Sequence, residues 1–185
     1  IKEFIDNDEV RTVTMMYLFH RMTEIDDGRR LRVDIGEFWK ALDDDYFSQW
    51  VKAFLNTKRK DNAMFVGETQ SPEAVVESTI AHTIIGQTAT KLFLWNAVAT
   101  EETYMDKFGL NRAEYEWVKM LGPRRFLLKQ LGQPGIVLDI DLGGEDLADD
   151  LAVLSGTNEA AILLESIRKR VGDNPDDWIP PLRNE

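Results

Sequence analysis

Cysteine is absent from the 185-residue chain, and histidine occurs only at His20 and His82. Without cysteine the chain has no disulfide and no thiolate metal site, and the two histidines lie too far apart for a ligand-like spacing. No apolar run is long enough to span a bilayer and no signal peptide is visible, so we expect a cytoplasmic protein. Net positive charge is also missing. The net charge of −11 excludes a generally basic surface for nucleic acid, while a local basic patch stays compatible with it.

The composition, 43% hydrophobic and 30% charged, is typical of a soluble globular protein, and the length suffices for one domain with a sizeable core. Strand-like runs alternate with helical patterns, which favours an α/β fold with a mostly parallel sheet. Residues 124–130 and 136–141 predict two late strands joined by a turn rich in glycine and proline, and therefore an antiparallel hairpin. A helical tail is predicted after this hairpin.

Two of the predicted strands are followed by side chains suited to nucleotide chemistry. Leu31–Ile35 runs into Glu37, and Ala63–Gly67 is followed by Gln70. An acid at the carboxyl end of a buried parallel strand can order a water against a γ-phosphate or hold a magnesium ion. Because a helix joins the two strands in a right-handed crossover, we expect them to be parallel neighbours with Glu37 and Gln70 at the same edge. The competing interpretations are a solvated acid at a helix start for Glu37 and a turn glutamine for Gln70.

The phosphate-binding loop that accompanies such chemistry, G-x-x-x-x-G-K-[ST], does not occur in the sequence. The chain also begins at Ile1 rather than at a methionine. We therefore expect residues 1–185 to be the C-terminal portion of one domain in a longer protein, with the loop upstream of residue 1. This portion is expected to be inactive toward ATP on its own.

The order of several motifs along the chain resembles that of one known family. Residues 36–42, 69–72 and 80–91 are similar to its motifs D-E-F-W-K-x-L, A-T-Q-S-P and a long stretch ending in E-Q-T-A-T-K. Further similar segments are residues 57–62, 108–114, 124–130, 151–156 and 171–178. The family is the large cytoplasmic ATPase of type IV secretion and conjugation systems, the VirB-four class with its TrbE and CagE relatives.

This resemblance implies a RecA-like P-loop NTPase domain that uses ATP and Mg²⁺ to energise apparatus assembly and substrate transfer. It also implies partners: inner-membrane subunits and other secretion ATPases of the same system. A homo-oligomer such as a hexamer, held peripherally at the inner membrane through those partners, is a further implication. Two alternatives stay open, an ATPase-like docking module without hydrolysis and a related DNA-translocating motor. The acidic net charge speaks against the second alternative.

The resemblance also implies roles for individual residues. It implies that Glu37 is the candidate for the catalytic carboxylate that polarises the attacking water, and that Gln70 is the candidate sensor of the γ-phosphate. Arg59 reaches the phosphate of a neighbouring subunit, the alternative being an arginine that satisfies a helix dipole.

Four residues of the late strands are candidates for nucleotide binding: Arg124, Arg125, Lys129 and Gln130. Either arginine is also a candidate for the role of Arg59. Trp39 is assigned to the core rather than to nucleotide stacking.

One position departs from the family's pattern. Gly36 stands where the family has an aspartate that supports magnesium through its waters. Asp34 points to the same face of a regular strand as position 36 but lies further back along it. Either Asp34 acts as the magnesium and nucleotide ligand through a local bulge, or magnesium support is weakened. The glycine also favours the docking-module alternative.

Overall fold

The structure, a computed structural model, describes residues 8–25, 27–57, 62–140, 147, 150–151 and 158–184. Internal contacts divide the chain into two compact units, residues 1–137 and 138–185. Helices and strands are both present, which confirms the predicted α/β class. The assignment of residues 1–185 to one RecA-like domain stays a prediction.

Helices and strands follow one another along the described part of the chain. In order they are α1 (Asp8–Ile25), β1 (Leu31–Ile35), α2 (Phe38–Leu42), α3 (Asp45–Thr57), β2 (Ala63–Gly67), α4 (Pro72–Glu77), α5 (Ala81–Gln87), β3 (Thr90–Phe93), a π-helix (Glu102–Lys107), α6 (Arg112–Met120), β4 (Arg125–Gln130), β5 (Ile136–Asp139), α7 (Asn158–Val171) and α8 (Pro175–Asn184). The bounds of β1 and β2 agree residue for residue with the predicted strands.

The first sheet consists of β1 and β2, which are parallel. Their register is continuous, from Leu31 opposite Ala63 to Ile35 opposite Gly67. The helices α2 and α3 lie between the two strands in sequence, as expected for a crossover connection. The predicted parallel pairing is therefore confirmed, and both strands end at the same edge.

The second sheet has the order β3-β4-β5. Here the expectation of one mostly parallel sheet is wrong, because β3 runs antiparallel to β4, from Thr90 opposite Gln130 to Phe93 opposite Leu127. The alternating pattern of a four-residue strand specifies which face is buried, but it carries no information about the partner or its direction. The predicted neighbours β4 and β5 do lie side by side.

An aromatic cluster packs the helices against the first sheet. On α3 the buried residues recur at helical spacing: Phe47, Ser48, Val51, Phe54 and Leu55. Phe19 of α1 stacks on Trp50 with ring centres 3.9 Å apart, and Phe38 of α2 meets Phe65 of β2 edge-on at 5.3 Å. The contact between Phe38 and Phe65 anchors the start of α2 on β2.

A separate cluster lies under the second sheet and includes Phe93, Tyr104, Val118 and Leu127. In the unit formed by residues 138–185, Ile167 of α7 packs with Trp178 and Leu182 of α8. Among the described residues, the helices are all too short or too polar to cross a membrane.

Candidate functional site

The turn between β1 and α2 presents Glu37 at the carboxyl edge of the first sheet. The carbonyl oxygen of Ile35 accepts a hydrogen bond from the amide of Glu68 at 2.9 Å, and the amide of Phe38 donates to the carbonyl of Glu68 at 2.8 Å. Gly36 and Glu37 lie between the two hydrogen-bonded residues, Ile35 and Phe38. Glu37 closes the turn with a φ of 50°, a left-handed conformation that costs a non-glycine residue free energy. Such an outlier is typical of functional sites.

The ring of Phe38 fixes this turn against β2. Its side chain is 2% exposed and lies over the end of β2, where Gly67 leaves room for it. A Cβ atom at position 67 would lie 3.0 Å from the ring of Phe65 and 3.3 Å from that of Phe38. Glycine at position 67 therefore permits the close approach that holds Glu37 in place.

The carboxylate of Glu37 accepts hydrogen bonds on both of its oxygens. Gln70 donates its side-chain amide, with Nε2 2.8 Å from Oε1, and Trp39 donates its indole, with Nε1 2.7 Å from Oε2. The predicted meeting of Glu37 and Gln70 at one edge is confirmed by this contact. The catalytic roles of both residues stay predictions.

Gln70 is held by the local structure that begins α4. The amide of Ser71 donates to Oγ1 of Thr69 at 3.0 Å, and Oγ of Ser71 accepts from the amide of Ala74 at 3.4 Å as the helix cap. Pro72 occupies the first turn of the helix, where its missing N–H is not needed. The amide side chain therefore leaves from a tightly hydrogen-bonded turn rather than from an extended loop.

Asp34 forms an ion pair with Arg32 on the exposed face of β1. Nε of Arg32 lies 2.8 Å from Oδ2 and Nη2 lies 2.7 Å from Oδ1, a two-pronged arrangement. The hydrogen bond and the charge of Asp34 raise the pKa of Arg32. Asp34 also keeps its regular position opposite Val66, so β1 makes no bulge that would carry this carboxylate forward.

Gly36 has neither a left-handed backbone nor a crowded surrounding that would require glycine. A Cβ atom added there would meet nothing within 4 Å among the residues that the structure describes. An aspartate at position 36 would therefore fit the turn as it stands.

Three further candidates, Arg124, Arg125 and Gln130, lie at the two ends of β4. Arg124, with a φ of 65°, precedes β4, and Arg125 begins it. At the other end of β4, Nε2 of Gln130 lies 3.5 Å from Oγ1 of Thr90. Arg59 lies outside the described residues. The nucleotide-binding and catalytic roles of these residues stay predictions.

Lys129 is engaged with a buried carboxylate. Its Nζ atom lies 2.7 Å from Oε1 of Glu114, whose side chain is 1% exposed. Glu114 also accepts from the amides of Asn111 at 3.0 Å and Gly135 at 2.6 Å. Burial alone would raise the pKa of Glu114, but the hydrogen bonds from Lys129 and the two amides outweigh burial and hold the pKa below its ordinary value.

In the part of the chain that the structure describes, no group of three or more acidic or histidine side chains is placed to hold a metal ion. Magnesium that arrives with a nucleotide needs fewer protein oxygens, because phosphate oxygens and waters complete its octahedron. Asp34 could serve such an ion only after exchanging its arginine partner.

Comparison with known proteins identifies relatives across almost the whole chain. The type IV secretion system protein virB4 of Bartonella henselae is 43% identical over 181 residues, which is 96% of this chain and 23% of that protein. The virB4 protein of Brucella abortus is 37% identical over 96% of the chain and 21% of its own length. The chain is a homologue of part of these virB4 proteins. The type IV secretion system protein PtlC of Bordetella pertussis is 36% identical over 95% of the chain and 21% of its own length.

This homology with virB4 and PtlC confirms the resemblance found in the sequence motifs. The chain spans less than a quarter of the length of the curated relatives it matches. No protein-family model matches the chain. The relatives therefore show homology to part of type IV secretion system proteins.

The sequence of this virB4-like chain does not predict two of its contacts, Trp39 with Glu37 and Lys129 with Glu114. Trp39 is half-buried and donates to Glu37, so its assignment to the core describes only part of its environment. Glu114 is a buried acid with three donors, and its only sequence signal is the capping box that it forms with Asn111 at the start of α6. The spacing of residues in the sequence predicts neither the contact of the Trp39 indole with Glu37 nor that of the Lys129 ammonium with Glu114.

Proposed function

We propose that the chain is part of the ATP-hydrolysing component of a type IV secretion or conjugation system. In this proposal Glu37 polarises the attacking water and Gln70 senses the γ-phosphate. The observation that supports it is the 2.8 Å hydrogen bond between Gln70 and Glu37 at the shared carboxyl edge of two parallel strands. This edge is where ligands bind in open α/β sheets.

The two side chains have complementary chemistry. A carboxylate can accept the proton of a water as that water attacks a phosphorus atom. An amide carries no charge, so it can donate either to Glu37 or to a γ-phosphate oxygen without a change of protonation. Arrival of ATP would draw the Gln70 amide toward the phosphate and leave Oε1 of Glu37 available to the water.

ATP and Mg²⁺ are the cofactors of the proposed reaction. A magnesium ion bound with the nucleotide would neutralise charge that develops on the β- and γ-phosphate oxygens. Asp34 is the metal ligand that the sequence predicts. Its ion pair with Arg32 would weaken its binding of the magnesium ion. Arg124, which precedes β4, and Arg125, Lys129 and Gln130 of β4 are the proposed nucleotide contacts.

The wider assembly belongs to the same proposal and is supported by the homology to type IV secretion proteins. Residues 1–185 would be the C-terminal portion of a RecA-like domain, completed by a phosphate-binding loop elsewhere in a longer protein. A homo-oligomer such as a hexamer would let Arg59 reach the nucleotide of a neighbouring subunit. Other secretion components would hold this oligomer at the cytoplasmic face of the inner membrane.

A second candidate function is a docking module of the same apparatus that no longer hydrolyses ATP. Gly36 favours it, because the chain lacks a carboxylate at the position where the family supports magnesium. The paired arrangement of Glu37 and Gln70 favours hydrolysis, since a docking surface has no need of a hydrogen-bonded acid–amide pair at a sheet edge.

The experiment measures steady-state ATP hydrolysis by the complete protein, including its phosphate-binding loop. Wild type is compared with Glu37→Gln and with Glu68→Gln, a matched control that removes an exposed acid from the adjacent turn. Glu37→Gln should lower kcat by at least about 100-fold, the lower range of general-base contributions, while Glu68→Gln retains activity. A wild type without magnesium-dependent turnover would establish the docking module instead, and equal activity of the two variants would remove Glu37 from the reaction.

A further inference from the structure

We propose that Trp39 is a positioning residue that fixes the carboxylate of Glu37 for the reaction. This inference rests on the proposed function, because it needs Glu37 to be the acid that polarises water. It assigns a role to a side chain that the sequence places in the core. The observation behind it is the 2.7 Å hydrogen bond from the Trp39 indole to Oε2 of Glu37.

The two donors to Glu37 divide its oxygens between them. Gln70 donates a hydrogen bond to Oε1 at 2.8 Å, and Trp39 donates one to Oε2 at 2.7 Å. A carboxylate on a side chain with three rotatable bonds is otherwise free to turn, above all where it is exposed, as Glu37 is. Two donors on different oxygens define the plane of the carboxylate as well as its position.

An indole N–H suits the holding role better than the amide does. It only donates, it cannot accept a proton from the carboxylate, and it belongs to a rigid ring. The ring is half-buried at the start of α2, next to Phe38, which is 2% exposed. The ammonium of Lys40 lies 5.9 Å from the centre of the Trp39 ring.

This arrangement gives the two donors separate tasks when nucleotide is present. Gln70 exchanges Oε1 for the γ-phosphate, and Trp39 keeps Oε2. The released oxygen then faces the water while the carboxylate stays in the plane set by the indole. Loss of the Trp39 N–H should therefore slow the chemical step and leave nucleotide affinity nearly unchanged.

The kinetic test compares Trp39→Phe with Trp95→Phe in the complete protein. Both changes keep an aromatic ring and delete an indole N–H. The indole of Trp95 donates at 3.1 Å to the backbone carbonyl of Lys119, so the second variant is a matched control. Trp39→Phe should lower kcat about 10-fold with KM changed less than about twofold, the size expected for losing a hydrogen bond to a charged group. Trp95→Phe should keep the wild-type kcat.

A second readout needs neither ATP nor turnover. In the 185-residue chain with ¹⁵N-labelled tryptophan, the indole resonance of Trp39 is assigned by its disappearance in Trp39→Phe. Replacement of Glu37 by glutamine exchanges a charged acceptor for a neutral one, so this resonance should move upfield. The Trp95 resonance should stay in place in the same variant.

The outcomes separate this inference from the proposed function. If Glu37→Gln abolishes turnover while Trp39→Phe behaves like Trp95→Phe, Glu37 is catalytic and the positioning role of Trp39 is wrong. If Glu37→Gln leaves turnover intact, the proposed function itself fails. A Trp39 resonance that does not respond to Glu37→Gln rules out the hydrogen bond, whatever effect Trp39→Phe has on turnover.

Discussion

The ammonium of Lys129 lies 2.7 Å from Oε1 of Glu114, a carboxylate whose side chain is 1% exposed. Lys129 is on β4 and Glu114 is in the first turn of α6, so the pair connects a strand with the helix that packs on it. The amide of Gly135 donates to the same oxygen, and a Cβ atom at position 135 would lie 2.9 Å from it. A buried carboxylate thus holds three segments of the first unit together.

Replacement of Glu114 by glutamine should destabilise the chain strongly. The neutral amide leaves the Lys129 ammonium without its counter-charge and places an NH₂ group among three donors. We expect a loss of about 3 kcal/mol in the free energy of unfolding, the range for breaking a buried ion pair by removing one partner. Urea unfolding measures it, with Glu116→Gln on the same helix as the more exposed control. Equal unfolding midpoints for the two variants would contradict the prediction.

The contribution of Glu114 should also depend on pH. Its hydrogen bonds hold its pKa in the folded chain below the ordinary value of 4.5. The unfolded chain therefore binds the proton more readily, and the stabilisation is present above pH 4.5 and lost as the pH falls through the folded pKa. The difference in unfolding free energy between wild type and Glu114→Gln should be constant near neutral pH and shrink below about pH 4.5. A difference that grows on acidification would show the opposite sign of the shift.

The left-handed backbone of Glu37 predicts an unusual order of stabilities at this position. Glu37→Gly and Glu37→Ala both remove the carboxylate, but only glycine is unstrained at a φ of 50°. The glycine variant should be more stable than the alanine variant by about 1 kcal/mol in thermal or urea unfolding. At Glu68, where φ is not positive, the same two substitutions should give the ordinary order with alanine more stable. A more stable alanine variant at position 37 would mean that the turn has a different conformation.

Gly36 and Asp34 offer a test of magnesium support in the complete protein. Position 36 has space for a side chain, and Asp34 is held by Arg32 without a bulge in β1. We therefore expect Gly36→Asp to raise magnesium-dependent hydrolysis, while Asp34→Asn has little effect. The measurement is the ATPase rate against magnesium concentration. An inactive Asp34→Asn variant beside a wild type of ordinary magnesium dependence would show that Asp34 is the ligand.

The chain of 185 residues should not hydrolyse ATP at a measurable rate by itself. Its sequence contains no phosphate-binding loop, so it lacks the backbone amides and the lysine that hold the β- and γ-phosphates. A sensitive phosphate-release assay with the purified chain, with Glu37→Gln as control, checks this. Robust turnover that disappears in Glu37→Gln would mean that the nucleotide binds elsewhere than proposed.

Local sequence patterns predicted β1 and β2 because each strand-like run extends over several residues. The strand-like runs at residues 31–35 and 63–67 were sufficient to place these two strands. The same reasoning predicted that Glu37 and Gln70 lie at one edge of the first sheet, because parallel strands joined by a crossover end on the same side. It failed for the direction of β3, whose four residues do not encode a partner.

The sequence by itself determined the α/β class, the parallel pair β1 and β2, and homology to type IV secretion proteins. Periodicity and motif order are properties of contiguous residues, so the chain displays them before it folds. Only the tertiary structure decided that Asp34 is held by Arg32, that Trp39 donates to Glu37, and that β3 joins an antiparallel sheet. Hydrogen-bond partners depend on distances of about 3 Å and on the direction of the donor, and a sequence pattern fixes neither.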